Sequence, residues 1–372
     1  MVGTSSGIVF ARITDPTKPE FLGLVPTTNL DTIRNFWWDI KTYENYAYWT
    51  TEVNDAGVGI FDLSQLDDIK DPVEPGTQEA VLEATARWRP NREEGYVRAH
   101  NIAINEDSGR AYLIGVTQAG LTDDAIMILD LTKNPTDPDV IGIIDTFSDG
   151  GVGGVVDAHD AQVVTYDGPD SDYVGRGRNG SREILFNYNG NARNVQIWDV
   201  TNAAAPEHIS NVSYPSATFT HQGWLTEDRR FILVGDEADE EVGLQQPNNP
   251  DLPDSARTNI VDVSDLNNPF HVGEFDSPAE SIDHNLFVKG DKVYQANYIA
   301  GVRVLQIKDE PGGSISLEEI AHMDTEPRIP NRITWNVNRF IGPWGVYPFF
   351  DNGTIIASDG LNGLVIMELT PP

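Results

Sequence analysis

The chain has no cysteine. Disulfides, thiolate nucleophiles and thiolate-ligated zinc are therefore excluded. Positive charge is scarce: 25 Lys and Arg stand against 58 Asp and Glu, a formal charge of -33, and only seven of the basic residues are Lys. That balance repels polyanions, so neither nucleic acid nor an anionic membrane surface is expected as a partner. It suits a salty medium, where counter-ions screen the self-repulsion. No apolar run nears the roughly 20 residues a membrane-crossing helix needs. The opening MVGTSSGIVFARI has neither the basic start nor the longer apolar stretch of a secretory signal. A sustained 3.6-residue apolar period is also missing, apart from a weak one over residues 77–89. A soluble, all-β chain is the expectation.

What the chain does have is a beat. Six pairs recur: Trp38-Asp39, His100-Asn101, His159-Asp160, His221-Gln222, His284-Asn285 and Trp344-Gly345, at intervals of 62, 59, 62, 63 and 60 residues. Four of the seven histidines fall on this one repeat position. After each pair comes a strand-like run A, such as NIAIN, AQVVTYD, GWLTED or NLFVKGD. A polar turn leads to run B (RAYLIGV, REILFNYN, RFILVGDE, KVYQANY), and then to the most uniform run, C (GIFDLS, MILDLT, QIWDVT, NIVDVS, VRVLQI, LVIMEL). A turn, often with Pro, precedes run D (DVIGIID, EHISNVS, HVGEFD). Short runs rich in Val, Ile and aromatics between turn formers read as strands.

Four antiparallel strands repeating at about 60 residues describe a β-propeller blade. A solenoid is the alternative, but tight A–B turns demand antiparallel neighbours. Run C occurs seven times, beginning with GIVFARIT, while the pair occurs six times. The prediction is one propeller domain over 1–372, with seven blades of which the first lacks strand A and the last lacks D. A six-bladed ring is the alternative.

In such a fold equivalent positions converge, so His100, His159, His221 and His284 are expected to face one another as ligands of a divalent metal: Zn, Mn, Fe or Ni. Strand B returns antiparallel, which places its polar end on the same face: Glu52, Asn187, Asp236, Glu237, Asn297 and Tyr298. Asp236, Glu237 and Asp160 are the candidate general bases, with Asp283 a candidate for the same work or for orienting an imidazole. Trp38, Asp39, Glu52, Asn187, Asp283, Asn297, Tyr298, Arg339 and Trp344 are candidate substrate contacts. Long loops at 90–98, 150–158, 238–257 and 322–343 would cover this face. The last carries Arg328, Arg332, Trp335 and Arg339, either as a lid for an anionic or sugar-like ligand or as partners of nearby carboxylates. A purely structural reading of the histidines makes each ring bond the neighbouring blade. The repeated Asp of strand C (Asp62, Asp130, Asp199, Asp262) reads as the cap of the C–D turn. Asp167, Asp170 and Asp172 are either calcium ligands or a solvated turn.

The strings WDIKTYENYAY, AHNIAINEDSGRAYLIG, HDAQVVTYDGPDSDYVG, THQGWLTEDRRFILVGDE and DHNLFVKGDKVYQANY, spread over the whole chain, resemble the choice-of-anchor B family, whose strand C carries the LVIVD repeat. The resemblance implies a secreted or surface-attached protein with an N-terminal signal and a C-terminal anchor, and this chain looks like a version shortened at its N-terminus. It implies no particular activity. Three functions are therefore expected from the residues: a metal-dependent hydrolase of ester-like substrates such as a lactone or phosphotriester, a non-catalytic surface-binding or adhesion module, and a metal-dependent lyase on acidic polysaccharide. The ligand is expected to be a small molecule or a glycan.

Overall fold

Strand-forming residues alternate along each run, and the alternation decides which neighbour each sheet packs against. A computed structural model describes the chain except for residues 28–36, 91–95, 123, 146, 150–151, 155, 176–180, 247, 250, 254, 329–339 and 371–372. The fold is a seven-bladed β-propeller built of antiparallel sheets. The first sheet has three strands, Val2–Thr4, Gly7–Arg12 and Glu20–Pro26, which are B, C and D. The last has Pro343–Tyr347, Thr354–Asp359 and Gly363–Glu368, which are A, B and C. Strand C therefore occurs seven times, which selects seven blades over six.

The described residues divide into two compact units. Unit 1 comprises Met1–Thr165, Gly177–Leu185 and Asp199–Glu207; unit 2 comprises Tyr166–Arg176, Phe186–Trp198 and His208–Pro372. In unit 1 the second sheet runs Trp38–Tyr43, Tyr46–Thr51, Val58–Asp62, Ala86–Trp88. Its Ala47, Trp49 and Phe61 pack on Ile8, Phe10, Leu22 and Val25 of the first sheet. Residues of opposite phase, Tyr48 and Ile60, pack on Ile102, Leu113, Met127 and Leu129 of the third. Unit 2 repeats the device. Val293 and Leu305 of the sixth sheet join Phe231, Leu233 and Ile260 of the fifth, whereas Tyr294, Ala296, Val302 and Val304 join Val346, Ile355 and Ala357 of the seventh. A period-two strand thus buries both faces, one on each neighbour.

The strand-C aspartates cap turns. One Oδ1 each of Asp62, Asp130, Asp199 and Asp262 accepts the backbone N–H two residues on, at 2.9, 3.0, 2.9 and 2.8 Å. The weak helical period at 77–89 forms no α-helix. It becomes a 3-10 turn at Gln78–Ala80 and the edge strand Ala86–Trp88, because Trp88 is buried and its indole N–H donates to Pro138 O at 2.9 Å. One α-helix, Asp239–Gln245, lies in the long loop after the fifth sheet's strand B. Among the described residues no helix is long and apolar enough to cross a membrane.

Candidate metal centre

In unit 2 the antiparallel register sets the end of strand B beside the start of strand A: Thr220 pairs with Asp236 and Gln222 with Gly235. The register slips there, so His221 is the extra residue of a β-bulge. Bulges re-aim side chains next to sites. Trp344 occupies a second such slip, between Pro343↔Asp359 and Gly345↔Ser358. His284 stands just ahead of strand Leu286–Lys289, and Glu237 follows Phe231–Asp236.

These elements bring His221, Glu237 and His284 together, with one ligand atom of each lying within 4.8 Å of the others. His221 Nε2 is 3.4 Å from Glu237 Oε2, and His284 Nε2 is 3.7 Å from Glu237 Oε1. The two imidazoles lie against each other, tilted by 47° with centroids 4.2 Å apart. His284 Nδ1 lies 2.5 Å from the carbonyl of Trp344. A carbonyl only accepts, so Nδ1 carries the proton, and in the neutral ring Nε2 keeps a lone pair facing Glu237. The blade-to-blade bond expected of a purely structural histidine is thus made by one ring nitrogen, while the other is oriented for a ligand's work.

Tyr298 closes the group. Its hydroxyl donates to Glu237 Oε1 at 2.5 Å, and its ring lies 5.0 Å from His284 and 5.7 Å from Trp344. Burial, followed by the Glu237 charge, holds the phenol well above its ordinary range, so Tyr298 stays a donor. Its backbone sits at φ 41, in the left-handed region that costs a side-chain-bearing residue about 1–2 kcal/mol. The strain is concentrated on a residue that grips the central carboxylate.

Asp236 has another job. Fully buried, it accepts Tyr214 Oη at 2.9 Å, the N–H groups of Thr218 and Phe219 at 2.7 and 2.8 Å, the Thr218 hydroxyl, and Ala238 N–H at 3.4 Å. These donors engage both of its oxygens in holding the loop before strand A.

Beside the triad lie acids that the repeat did not single out. Asp239 and Glu240 open the short helix, and both are buried with Asp283. Burial comes first in pushing all three carboxyls well above the usual carboxylate range, followed by the charge of Asp236 on Asp239, of Asp239 and Asp283 on Glu240, and of Asp239, Asp236 and Glu237 on Asp283. Asn297 is also buried, and neither polar atom of its carboxamide has a partner among the described residues. Asn187 gives its Nδ2 to Asn189 and Gln196, each at 3.2 Å. The phase of the repeat signalled Glu237, Asp283 and Asn297, but a helix inserted into one loop has no counterpart elsewhere to reveal it.

Unit 1 holds the other histidine pair. The rings of His100 and His159 lie 4.2 Å apart, tilted by 39°, and His100 Nδ1 lies 2.8 Å from Glu52 Oε1. That carboxylate orients the imidazole as an outer-shell partner does. Close packing is enforced at Gly115, φ +66, where a Cβ would lie 2.7 Å from His100 Cβ. Asp160 accepts Ala161 N–H at 2.6 Å, and its carboxyl is pushed up to about 7 by burial, then by the charge of Asp39. Asp39 itself accepts Ile102 N–H at 3.0 Å and both bonds of Lys41, while the Trp38 indole donates to Thr4 O at 3.0 Å. In unit 2 the equivalent of Asp39, Gln222, accepts Leu286 N–H at 2.8 Å. At Asp39 and Gln222 the second residue of the pair thus ties its blade to the next, as the first residue does at His284.

Arg339, Arg332 and Trp335 lie outside the described residues; Arg328 pairs with Glu326 at 2.5 and 2.6 Å. Asp170 caps Asp172 N–H at 2.9 Å and accepts Leu266 N–H at 2.9 Å, and Asp167 pairs with Arg229, so these aspartates serve their turn.

No protein-family model and no curated protein matches the chain. Solved structures do. A Bacteroides fragilis protein provisionally assigned as a 6-phosphogluconolactonase is 11% identical, with a TM-score of 0.55, over 98% of this chain and 87% of its own. A Lactobacillus plantarum protein aligns at 10% identity and a TM-score of 0.57, over 98% of this chain and 88% of its own. A functionally unknown protein from Desulfotomaculum acetoxidans aligns at 12% and 0.55, over 94% and 86%. At such identities the likeness shows the fold alone, and that fold is the β-propeller.

Proposed function

We propose that the chain is a metal-dependent hydrolase of ester-like substrates, with lactones as the leading class. The observation that carries this is the His221–Glu237–His284 group, whose ligand atoms converge within 4.8 Å and whose His284 tautomer is set by the Trp344 carbonyl. Two imidazoles and one carboxylate suit Zn, Mn, Fe or Ni. A bound ion of this kind supplies Lewis acidity toward a carbonyl and lowers the pKa of water. His221 and His284 hold the ion, and Glu237 completes the set while Tyr298 fixes its rotamer. Trp344, edge-on to His284 at 5.0 Å, walls the group on one side. Lactones head the panel because two of the fold neighbours carry that provisional assignment.

Binding or adhesion without catalysis is the competing reading, and it fits the secreted or cell-surface place implied by the choice-of-anchor B resemblance; its ligand would be a small molecule or a glycan. The lyase reading leaned on the basic last loop, where Arg328 is bound to Glu326. Elemental analysis of protein purified without chelators, followed by a lactone and aryl-ester panel, separates the readings. Stoichiometric transition metal is expected, with turnover falling at least about 100-fold in His221→Ala with His284→Ala. A wild-type protein without metal, or with metal and no turnover on the panel, would leave the binding module standing.

A further inference from the structure

The outer edge of the second sheet carries two arginines, and neither holds a carboxylate. Arg87 and Arg89 flank buried Trp88, so both stand on the face turned away from it, and both are exposed. Arg12, Arg110, Arg182, Arg257 and Arg303 are each paired with an acid. In a chain with 58 acidic residues, Arg87 and Arg89 make no hydrogen bond or ion pair among the described residues. Burial, then the like charge of Arg89, lowers the Arg87 guanidinium from its ordinary range, and no carboxylate offsets them.

Two glycines bring a further donor to the same place. Gly59 pairs with Arg87 on one side and with Trp49 on the other. A Cβ on Gly59 would fall 2.0 Å from Trp49 Cε2 and 2.2 Å from Nε1, so the N–H edge of the indole lies over the residue opposite Arg87. Directly opposed residues stand about 5 Å apart. Gly57 is bare in the same way beneath Arg89, whose Cγ and Nε would lie 2.9 and 3.4 Å from a Cβ there. Trp38 and Trp88 of this sheet give their indole N–H groups to the carbonyls of Thr4 and Pro138. Trp49, only 4% exposed, gives its own to nothing among the described residues.

These groups line one crevice between the first and second sheets. Arg87, Trp49, Thr51 and Gly57 share it with the apolar walls of Ile8, Val25, Pro26, Trp38, Val53 and Ala56, and no Asp or Glu lines it. Thr51 Oγ1 accepts Val53 N–H at 3.3 Å, which leaves its O–H to donate. A guanidinium and an indole N–H can only donate. The free space is about 10 Å³, room for one water-sized body. A water there has two lone pairs and two protons, and its protons would face donors; an anion accepts from every side. We infer that this crevice holds a small monovalent anion, a halide or the head of a short carboxylate, on Arg87, Trp49 Nε1 and Thr51 Oγ1, with the charge of Arg89 beside it. All of these residues belong to unit 1 and none to the His221–Glu237–His284 centre, so the inference is independent of the hydrolase reading.

The test uses the full chain, isotopically labelled at its tryptophans and followed by its indole N–H resonances. It is titrated with NaCl and separately with sodium acetate, while sodium methanesulfonate holds the ionic strength at about 1 M so that diffuse screening stays constant. Trp49→Phe identifies the Trp49 resonance. That resonance should shift saturably with at least one of the two anions, and the tighter of them names the source of the charge. Arg87→Gln should weaken binding about tenfold or more, and Arg89→Gln severalfold. In methanesulfonate alone Arg87→Gln should unfold at or above the wild-type temperature, because it relieves the repulsion from Arg89; in the binding anion, wild type should unfold higher. The site is overturned if the Trp49 resonance moves no more with chloride or acetate than with methanesulfonate, or if Arg87→Gln leaves the affinity unchanged. Should a variant not fold, the wild-type midpoint decides: one midpoint in all three salts rejects the site.

Discussion

Asp236 and Glu237 are adjacent in sequence and carry the same charge, yet donors crowd the first and leave the second to the imidazoles. Asp160 shows the same dependence on surroundings. With its carboxyl raised to about 7, the folded chain keeps a proton there that the unfolded chain releases near pH 4. Stability from this group is therefore full below about pH 4 and is lost as pH rises through about 7. Asp160→Asn should match wild type near pH 4 and be more stable at pH 8, by on the order of 2–4 kcal/mol. Thermal or urea unfolding across that range measures it, and a difference that stays flat with pH would contradict the assignment. At this scale the sequence was readable wherever the repeat held phase, as at His221 and His284. It was mute about which acids have donors, because Tyr214 and Thr218 reach Asp236 from a loop whose path no local pattern encodes.

At the level of strands, the recurrent pair splits into two duties. Its first residue sits in a bulge at His221 and Trp344, turned out of the ladder, while its second, at Asp39 and Gln222, accepts a backbone N–H of the following blade. Gln222→Ala leaves the buried Leu286 N–H unanswered, at a cost of about 1–3 kcal/mol in unfolding free energy. Transition-metal stoichiometry should survive, since His221 is untouched. Loss of metal with unchanged stability in that variant would reverse the assignment of duties. Bulges were not legible in advance, since a single extra residue leaves the apolar alternation almost intact. The count of strand C was legible, because its Asp recurs wherever a turn needs a cap.

For the chain as a whole, a charge of -33 sets the response to salt. Self-repulsion among exposed acids is screened within about 10 Å at 0.1 M salt and 3 Å at 1 M. The thermal midpoint should therefore climb as KCl rises from about 0.1 M to about 1 M, with most of the gain early. Scanning calorimetry would show it, and a midpoint independent of salt would mean that surface charge contributes little. The blade architecture was legible in the spacing, and the count of seven in the extra strand C, which outnumbers the recurrent pair by one.

The sixth sheet gives Val293 to one core and Tyr294 to the next, so its strand Lys292–Ala296 has no idle side. A one-residue insertion there would exchange the two sets of side chains and spoil both cores together. Added length between strands spares both walls, as the short helix Asp239–Gln245 shows by lying in a loop.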